Sequence, residues 1–321
     1  MKAAIHTTYG PPEVVKILDV PKPTPAPDEL LVKVHASTVN RTDCGFRSAE
    51  YVISRFWSGL LKPRYQILGC EFAGEVEAVG ANVTSFKPGD KVFGYNDVQF
   101  GGHAEYLVIK ETAAVEHMPA GFHYHDAAAL TEGAHYALCD LRAANVKSGD
   151  EVMVYGATGA IGSAAVQLLK YMGASVTAVC GTKQVALVQS LGADVVIDYL
   201  QTDFTSTTAT FDLIFDAVGK SSFAVCKKLL KPKGIYISTE LGKGGANVFL
   251  ALLTPLGGGR KVLFPLPVIS KKDVQFLKEL AEQKKFKPVI DRSYPLDEIV
   301  AAYTYVHTGQ KTGNVIISIA C

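Results

Sequence analysis

The sequence predicts an α/β protein built on a parallel sheet, accompanied by a smaller β-rich domain. From about residue 121 to 270, short apolar runs alternate with segments of helical period, the pattern of strand–helix–strand units that place a parallel sheet between helices. Residues 1–120 read instead as short strands separated by turn residues, the texture of a small barrel-like β domain. At 321 residues the chain is about twice the usual domain length, so two cores are expected.

Each element has a local reason. Pro21-Lys22-Pro23-Thr24-Pro25-Ala26-Pro27 is a connector, because its prolines cannot donate ladder hydrogen bonds. Residues 30–36 supply a partly buried strand, and residues 74–80 alternate at period two. Lys87-Pro88-Gly89-Asp90 turns the chain into a further strand at Val92 and Phe93. In the second region, residues 151–155 form a buried strand. Ile161, Ala165, Leu168, Leu169 and Met172 then recur at helical spacing until Gly173 stops the helix. Residues 176–180 are the next strand and residues 183–191 the next helix, ended by Gly192. Residues 195–197, 213–215, 235–237 and 262–264 continue the strand series. Alternation stops at Phe264. Two helices, 273–284 and 296–307, and a strand over 314–318 are expected to return to the first domain.

Composition excludes several classes. The 32 Lys and Arg against 31 Asp and Glu leave a formal charge of +1, so no basic field tracks phosphates and no nucleic-acid partner is expected. Apolar residues at 48% with 20% charged suit a large soluble core and rule out collagen-like, low-complexity and disordered chains. No stretch approaches the roughly 18 consecutive apolar residues of a membrane span; residues 248–253 end at Thr254-Pro255. Residues 1–6 carry no apolar core and do not read as a signal peptide. The six cysteines include no C-x-x-C pair, which fits reduced thiols in a cytoplasmic protein.

The strongest chemical signal is the turn Gly156-Ala157-Thr158-Gly159-Ala160-Ile161-Gly162, between a buried strand and a helix with an apolar face. Glycines there permit a tight turn, close approach of backbone to a pyrophosphate, and close helix–strand packing, while the free amides of the helix start favour anionic phosphate. The spacing is G-x-x-G-x-x-G rather than G-x-G-x-x-G. Cofactor choice is read at the end of the second strand, Cys180-Gly181-Thr182-Lys183. An NAD site usually places a carboxylate there for the ribose 2′-hydroxyl. A small glycine, a hydroxyl and an ammonium suit a 2′-phosphate, so NADPH is expected. The alternative for Lys183 is a solvated helix-start residue.

A resemblance covers the whole chain. It is carried by Leu68-Gly69-Cys70-Glu71-Phe72-Ala73-Gly74, Phe86-Lys87-Pro88-Gly89-Asp90-Lys91-Val92, Gly102-His103-Ala104-Glu105-Tyr106, the glycine turn, Leu191-Gly192-Ala193-Asp194, Val196-Ile197-Asp198-Tyr199, Phe215-Asp216-Ala217-Val218-Gly219 and Thr312-Gly313-Asn314-Val315-Ile316. With these motifs the sequence resembles the medium-chain dehydrogenase/reductase superfamily, in its zinc-independent quinone oxidoreductase (zeta-crystallin-like) branch. The resemblance implies a Rossmann-type NADPH-binding domain over 121–270. It implies a GroES-like, β-barrel-type catalytic domain over 1–120 and 271–321. Zinc members carry ligands where this sequence has Asn40, Cys70 and approximately Ala129, and a lone cysteine cannot hold tetrahedral zinc, so no metal is expected.

In this resemblance Asn40 lies beside the nicotinamide, and Tyr51 faces the substrate cleft as a hydrogen-bond or proton donor. Asp43 orients the Asn40 segment or caps a helix. Tyr199 packs near the adenosine phosphate, Val218 lies in the cofactor-side loop, and Lys311 and Asn314 sit where the C-terminal return passes the cofactor. Arg47 reads as a solvated arginine, with attraction of an anionic substrate as its alternative, and His117, His123 and His125 read as surface residues. Without zinc to stabilise an alkoxide, the expected reaction is hydride transfer to a quinone or an α,β-unsaturated carbonyl. A zinc-dependent alcohol dehydrogenase using Cys70, and a non-catalytic NADPH-binding sensor or crystallin-like protein, stand as alternatives. A homodimer through residues 261–264 is implied as well.

Overall fold

A computed structural model of the chain describes residues 1–49 and 55–319. In chain order the first elements are β1 (Lys2–Ile5), β2 (Lys16–Asp19), β3 (Glu29–Val39), α1 (Arg41–Ser48), α2 (Arg55–Ser58), β4 (Glu71–Val79), β5 (Lys91–Tyr95), β6 (Tyr106–Lys110), β7 (Val115–His117) and α3 (Tyr124–Ala128). They are followed by α4 (Glu132–Ala144), β8 (Glu151–Tyr155), α5 (Ala160–Tyr171), β9 (Ser175–Cys180), α6 (Val185–Ser190), β10 (Val195–Asp198), β11 (Phe211–Asp216), α7 (Phe223–Cys226) and β12 (Leu230–Ser238). The chain closes with α8 (Ala246–Leu253), β13 (Lys261–Leu263), α9 (Lys271–Glu282), β14 (Ile290–Pro295), α10 (Ile299–His307) and β15 (Asn314–Ser318). The contacts divide it into two compact units, Met1–Glu132 with Ile269–Cys321, and Gly133–Val268.

The second unit holds a six-stranded, wholly parallel sheet in the order β10-β9-β8-β11-β12-β13. That order reverses between β8 and β11, and in such sheets the carboxyl ends of the strands at the reversal form the ligand crevice. The strands are apolar on both faces because helices cover both: Val152, Met153, Val154, Val176, Ala178 and Ile214 are all buried. Gly173 ends α5 with φ +81°, a left-handed conformation that glycine adopts without strain. Three helices here, α4, the short α7 and α8, lie outside the helices expected from sequence. α4 is buried on nearly every face, which removes the polar stripe that marks an amphipathic helix. α8 shows in the sequence only as an apolar run too short for a membrane span; Leu250 and Ala251 pack onto the sheet core.

In the first unit a seven-stranded sheet runs β14-β15-β3-β4-β5-β7, with β6 also paired to β3. The long strand β3 organises it, meeting β4, β6 and β15 antiparallel, so the last strand of the chain completes this sheet. Leu30, Val32, Val34, Phe72, Val76 and Val92 fill its core. The division between units falls after Glu132, beyond the boundary at residue 120 drawn from sequence texture. The reason is α3, which packs on β3 and β4, with Tyr124 stacked on His35 at 4.2 Å between ring centroids.

Candidate active site

The glycine turn leaves β8 at its carboxyl end and enters α5. Gly156 has φ +80°, and a Cβ there would lie 2.5 Å from Val218 Cγ1, so the side chain of Val218 walls the turn. A Cβ on Gly162 would overlap the Gly156 carbonyl oxygen and lie 2.9 Å from the Ala157 Cα, so this glycine lets α5 press against the turn. Gly159 is different. It caps α5 with no side-chain hydrogen bond, and its added Cβ would find nothing nearer than the Gly156 carbonyl oxygen at 4.0 Å. Thr158 is half-buried beside it, and the first turn of α5, with Ala160 and Ile161, contains no acidic residue. An uncapped helix start with protein-free space before it fits a pyrophosphate. The turn's geometry therefore fits a dinucleotide.

At the end of β9, Gly181 is buried and Thr182 and Lys183 are exposed. A Cβ on Gly181 would sit 3.5 Å from the Tyr199 hydroxyl, which places Tyr199, itself half exposed, beside the strand end. The fold adds a residue that linear reading passed over. The Thr182 hydroxyl donates to Asp198 Oδ2 at 2.6 Å, and this bond is the main reason the Asp198 carboxyl is held below its ordinary value. A carboxylate therefore does reach this segment, from the end of β10 rather than of β9.

Deeper in that loop region Asp216, fully buried at the end of β11, accepts from the Val218 amide at 3.2 Å, the Ser221 amide at 2.9 Å and the Tyr236 hydroxyl at 3.0 Å. Burial raises its carboxyl, against these bonds. The three contacts fix the loop that carries Val218.

The first unit carries a buried polar cluster around α1. Asn40 and Asp43 form a capping box: the Asp43 amide donates to Asn40 Oδ1 at 2.9 Å, and the Asn40 amide to Asp43 Oδ2 at 3.2 Å. Asn40 Nδ2 donates to Cys70 Sγ at 3.0 Å. Asp43 also accepts from the Gly69 amide at 2.9 Å, yet burial lifts its carboxyl to about 7. Glu71 accepts from the Thr38 hydroxyl at 2.5 Å, the Thr131 hydroxyl at 2.8 Å and the Glu132 amide at 2.6 Å. Burial raises both Glu71 and Glu132, and depresses the Lys311 ammonium, whose Nζ donates to the Gly313 carbonyl at 2.6 Å. His103 Nε2 donates to the Thr38 carbonyl at 2.7 Å and Nδ1 accepts from the Tyr303 hydroxyl at 3.2 Å; burial lowers this imidazole to about 4, so it is neutral.

Several expectations change here. Arg47 is not solvated: it is fully buried, donates to the Gly10 carbonyl and lies 5.1 Å from the Tyr303 ring centroid. Asn314 lies in the first unit, as the return of residues 271–321 to that domain implied, and its Nδ2 donates to the Val289 carbonyl at 3.0 Å. Tyr51 falls outside the described residues. Thr131, Glu132 and Tyr303 were missed, because nothing local marks them; only the fold brings them to Glu71 and His103.

The donor set does not fit a zinc ion. Among the described residues no three His, Cys, Asp or Glu side chains stand where they share a metal position. Burial and the neighbouring carboxylates push the Cys70 thiol well above its ordinary value, and Cys70 Sγ accepts from Asn40 Nδ2.

A nucleotide turn at the reversal of a doubly wound sheet, in one chain with a mostly antiparallel sheet unit rich in buried polar groups, defines a pyridine-nucleotide oxidoreductase. The chain belongs to the medium-chain dehydrogenase/reductase superfamily, in its quinone oxidoreductase branch. Residues 26–120 match the alcohol dehydrogenase GroES-like domain, and residues 191–317 match the zinc-binding dehydrogenase family. A 2-methylene-furan-3-one reductase of Solanum lycopersicum is 33% identical over 99% of this chain and 79% of its own length. The NADPH-dependent alkenal/one oxidoreductase of Arabidopsis thaliana is 30% identical over the same shares. The quinone oxidoreductase structure from Coxiella burnetii superposes with a TM-score of 0.88 at 27% identity, covering 100% of this chain and 99% of that one.

Proposed function

We propose that this chain is a zinc-independent, NADPH-dependent reductase that transfers hydride to a quinone or to the double bond of an α,β-unsaturated carbonyl compound. The observation that carries it is the turn over residues 156–162, where Gly159 leaves open space before the uncapped amides of α5. When bound, the reduced nicotinamide supplies the hydride. The chain's own residues bind and orient. The amides at Ala160, Ile161 and Gly162 take the pyrophosphate, Val218 limits the depth of the turn, and Gly181, Thr182, Lys183 and Tyr199 receive the adenosine end. Asn40, held by Asp43 and Cys70, fixes the start of α1 on the acceptor side, and Tyr51 donates a hydrogen bond or proton to the acceptor oxygen. Asn314, whose Nδ2 donates to the Val289 carbonyl, steadies the start of the C-terminal strand.

The zinc-free reading rests on the donor set around Cys70. Acceptors that already stabilise the developing negative charge, as quinones and enones do, need no Lewis acid. The names of the similar reductases point to the same acceptor classes. β13, the outermost strand of its sheet, is proposed to pair with β13 of a second copy across a two-fold axis, giving a cytoplasmic homodimer.

The test is a titration of the nucleotide-free protein with NADPH and NADH, followed by a 1,4-quinone and a small enone. Tighter NADPH binding with acceptor-dependent oxidation supports the reading. Binding without oxidation by either acceptor class overturns the reductase, and a one-chain mass in light scattering overturns the dimer.

A further inference from the structure

We propose that Asp198 tunes nucleotide choice, opposing a 2′-phosphate and accepting a 2′-hydroxyl, so that NADH is used alongside NADPH. This rests on the dinucleotide reading of the turn given above. The register between β9 and β10 pairs Asp198 with Cys180, so the last residue of the third strand stands directly beside the last residue of the second. Strand ends so paired lie about 5 Å apart. The Asp198 side chain then reaches across to the segment that would meet the adenosine ribose, where Oδ2 accepts from the Thr182 hydroxyl at 2.6 Å and from Gln201 Nε2 at 2.8 Å. Oδ1 accepts from the Leu200 amide at 3.0 Å.

This arrangement has two chemical consequences. Thr182, the hydroxyl that sequence reading offered to a phosphate, is already donating to a carboxylate. The exposed ammonium of Lys183 is also matched by the half-buried Asp198 carboxylate one strand away, which leaves the strand end with little net field for a phosphate that carries up to two negative charges. A dianion within about 5 Å of a carboxylate in water loses about tenfold in affinity by Coulomb's law. A ribose 2′-hydroxyl meets the opposite situation, since a carboxylate is its best acceptor.

The decisive variant is Asp198→Asn. Asparagine keeps an oxygen for the Leu200 amide and a polar partner for Thr182, so the turn survives while the charge is removed. Asp198→Ser is a second neutral variant, and Asp198→Glu retains the charge. Dissociation constants are measured for NADPH, NADH, 2′,5′-ADP and 5′-ADP, with a thermal melt of each variant as the folding check. Wild type is expected to favour NADPH by less than about tenfold. In the neutral variants NADPH and 2′,5′-ADP bind about tenfold tighter, NADH does not gain, and the improvement shrinks at about 0.5 M salt. Asp198→Glu keeps the wild-type ratio. An unchanged NADPH to NADH ratio in both neutral variants overturns the proposal, as does an equal loss for both nucleotides, which would make Asp198 a turn builder only. If wild type binds neither nucleotide, the dinucleotide reading itself fails and this inference with it; if wild type binds NADPH and the ratio does not move, only the inference fails.

Discussion

Replacing Gly159 with alanine separates what the turn does for the fold from what it does for a ligand. Gly159 has φ −70° and ψ 173°, an extended conformation open to any residue. Its added Cβ meets no protein atom closer than 4.0 Å. The fold therefore loses only the small preference for glycine over alanine at a helix cap, under about 1 kcal/mol, a shift of ~2–4 °C in Tm. The same methyl occupies the space through which a pyrophosphate approaches the amides of α5. Pushing the phosphates away weakens charge-assisted hydrogen bonds worth about 1.5–3 kcal/mol each, so the Kd for NADPH should rise at least about tenfold. Gly162→Ala is the contrasting case. Its Cβ lies 2.9 Å from the Ala157 Cα and overlaps the Gly156 carbonyl, so strand and helix must separate. That substitution should cost about 1–3 kcal/mol of stability as well as binding. The assay is a thermal melt without ligand beside a fluorescence titration with NADPH. Wild-type NADPH affinity in a folded Gly159→Ala protein would refute the reasoning, because no other role for the glycine is visible at that position.

Three further outcomes are expected. Asn40→Ala removes the acceptor for the Asp43 amide and the donor to Cys70 Sγ, and should lower stability by about 1–3 kcal/mol in a urea titration; an unchanged midpoint would sink the capping assignment. Asp43, raised from 3.8 to about 7, keeps its proton in the fold after the unfolded chain has lost it, so stability falls as pH rises through that window. His103, lowered to about 4, acts with the opposite sign below its ordinary 6.5, so the comparison with Asp43→Asn isolates the carboxyl: the variant should lose less stability between pH 5 and pH 7, by about 1–3 kcal/mol, and equal slopes would refute it. Purified protein should carry no stoichiometric zinc by elemental analysis and keep its turnover in EDTA, and one zinc per chain would overturn the zinc-free reading.

The parallel sheet was legible because its strands are buried on both faces and its helices end at glycines: the Val152–Val154 run and the Gly173 stop each point one way. The reading of Asp43 as orienting the Asn40 segment or capping a helix found part of the capping box, in which Asn40 is the cap and Asp43 its reciprocal partner. What was lost is whatever depends on distant partners. Arg47 reads as a surface cation because burying a guanidinium is costly, and only the fold supplies Gly10 and Tyr303 to receive it. Asp198 looks irrelevant to cofactor choice until strand register sets it beside Cys180. Thr131 and Glu132 carry no motif of their own, and their bonds to Glu71 span the unit.

The side chains named by family likeness are largely occupied by the protein itself. Asn40 uses Oδ1 for the Asp43 amide and Nδ2 for Cys70, with Thr38 Oγ1 at 3.5 Å as its remaining partner. Thr38 in turn gives its proton to Glu71. Among the described residues these bonds hold Asn40 at the start of α1. The proton-donor role in the proposed reaction is assigned to Tyr51 by family likeness, and this residue lies outside the described residues. The two substitutions separate these duties. Asn40→Ala should lower stability together with kcat, and Tyr51→Phe should lower kcat about tenfold or more. Full activity in Tyr51→Phe would return proton delivery to solvent and leave the chain with binding and orientation alone.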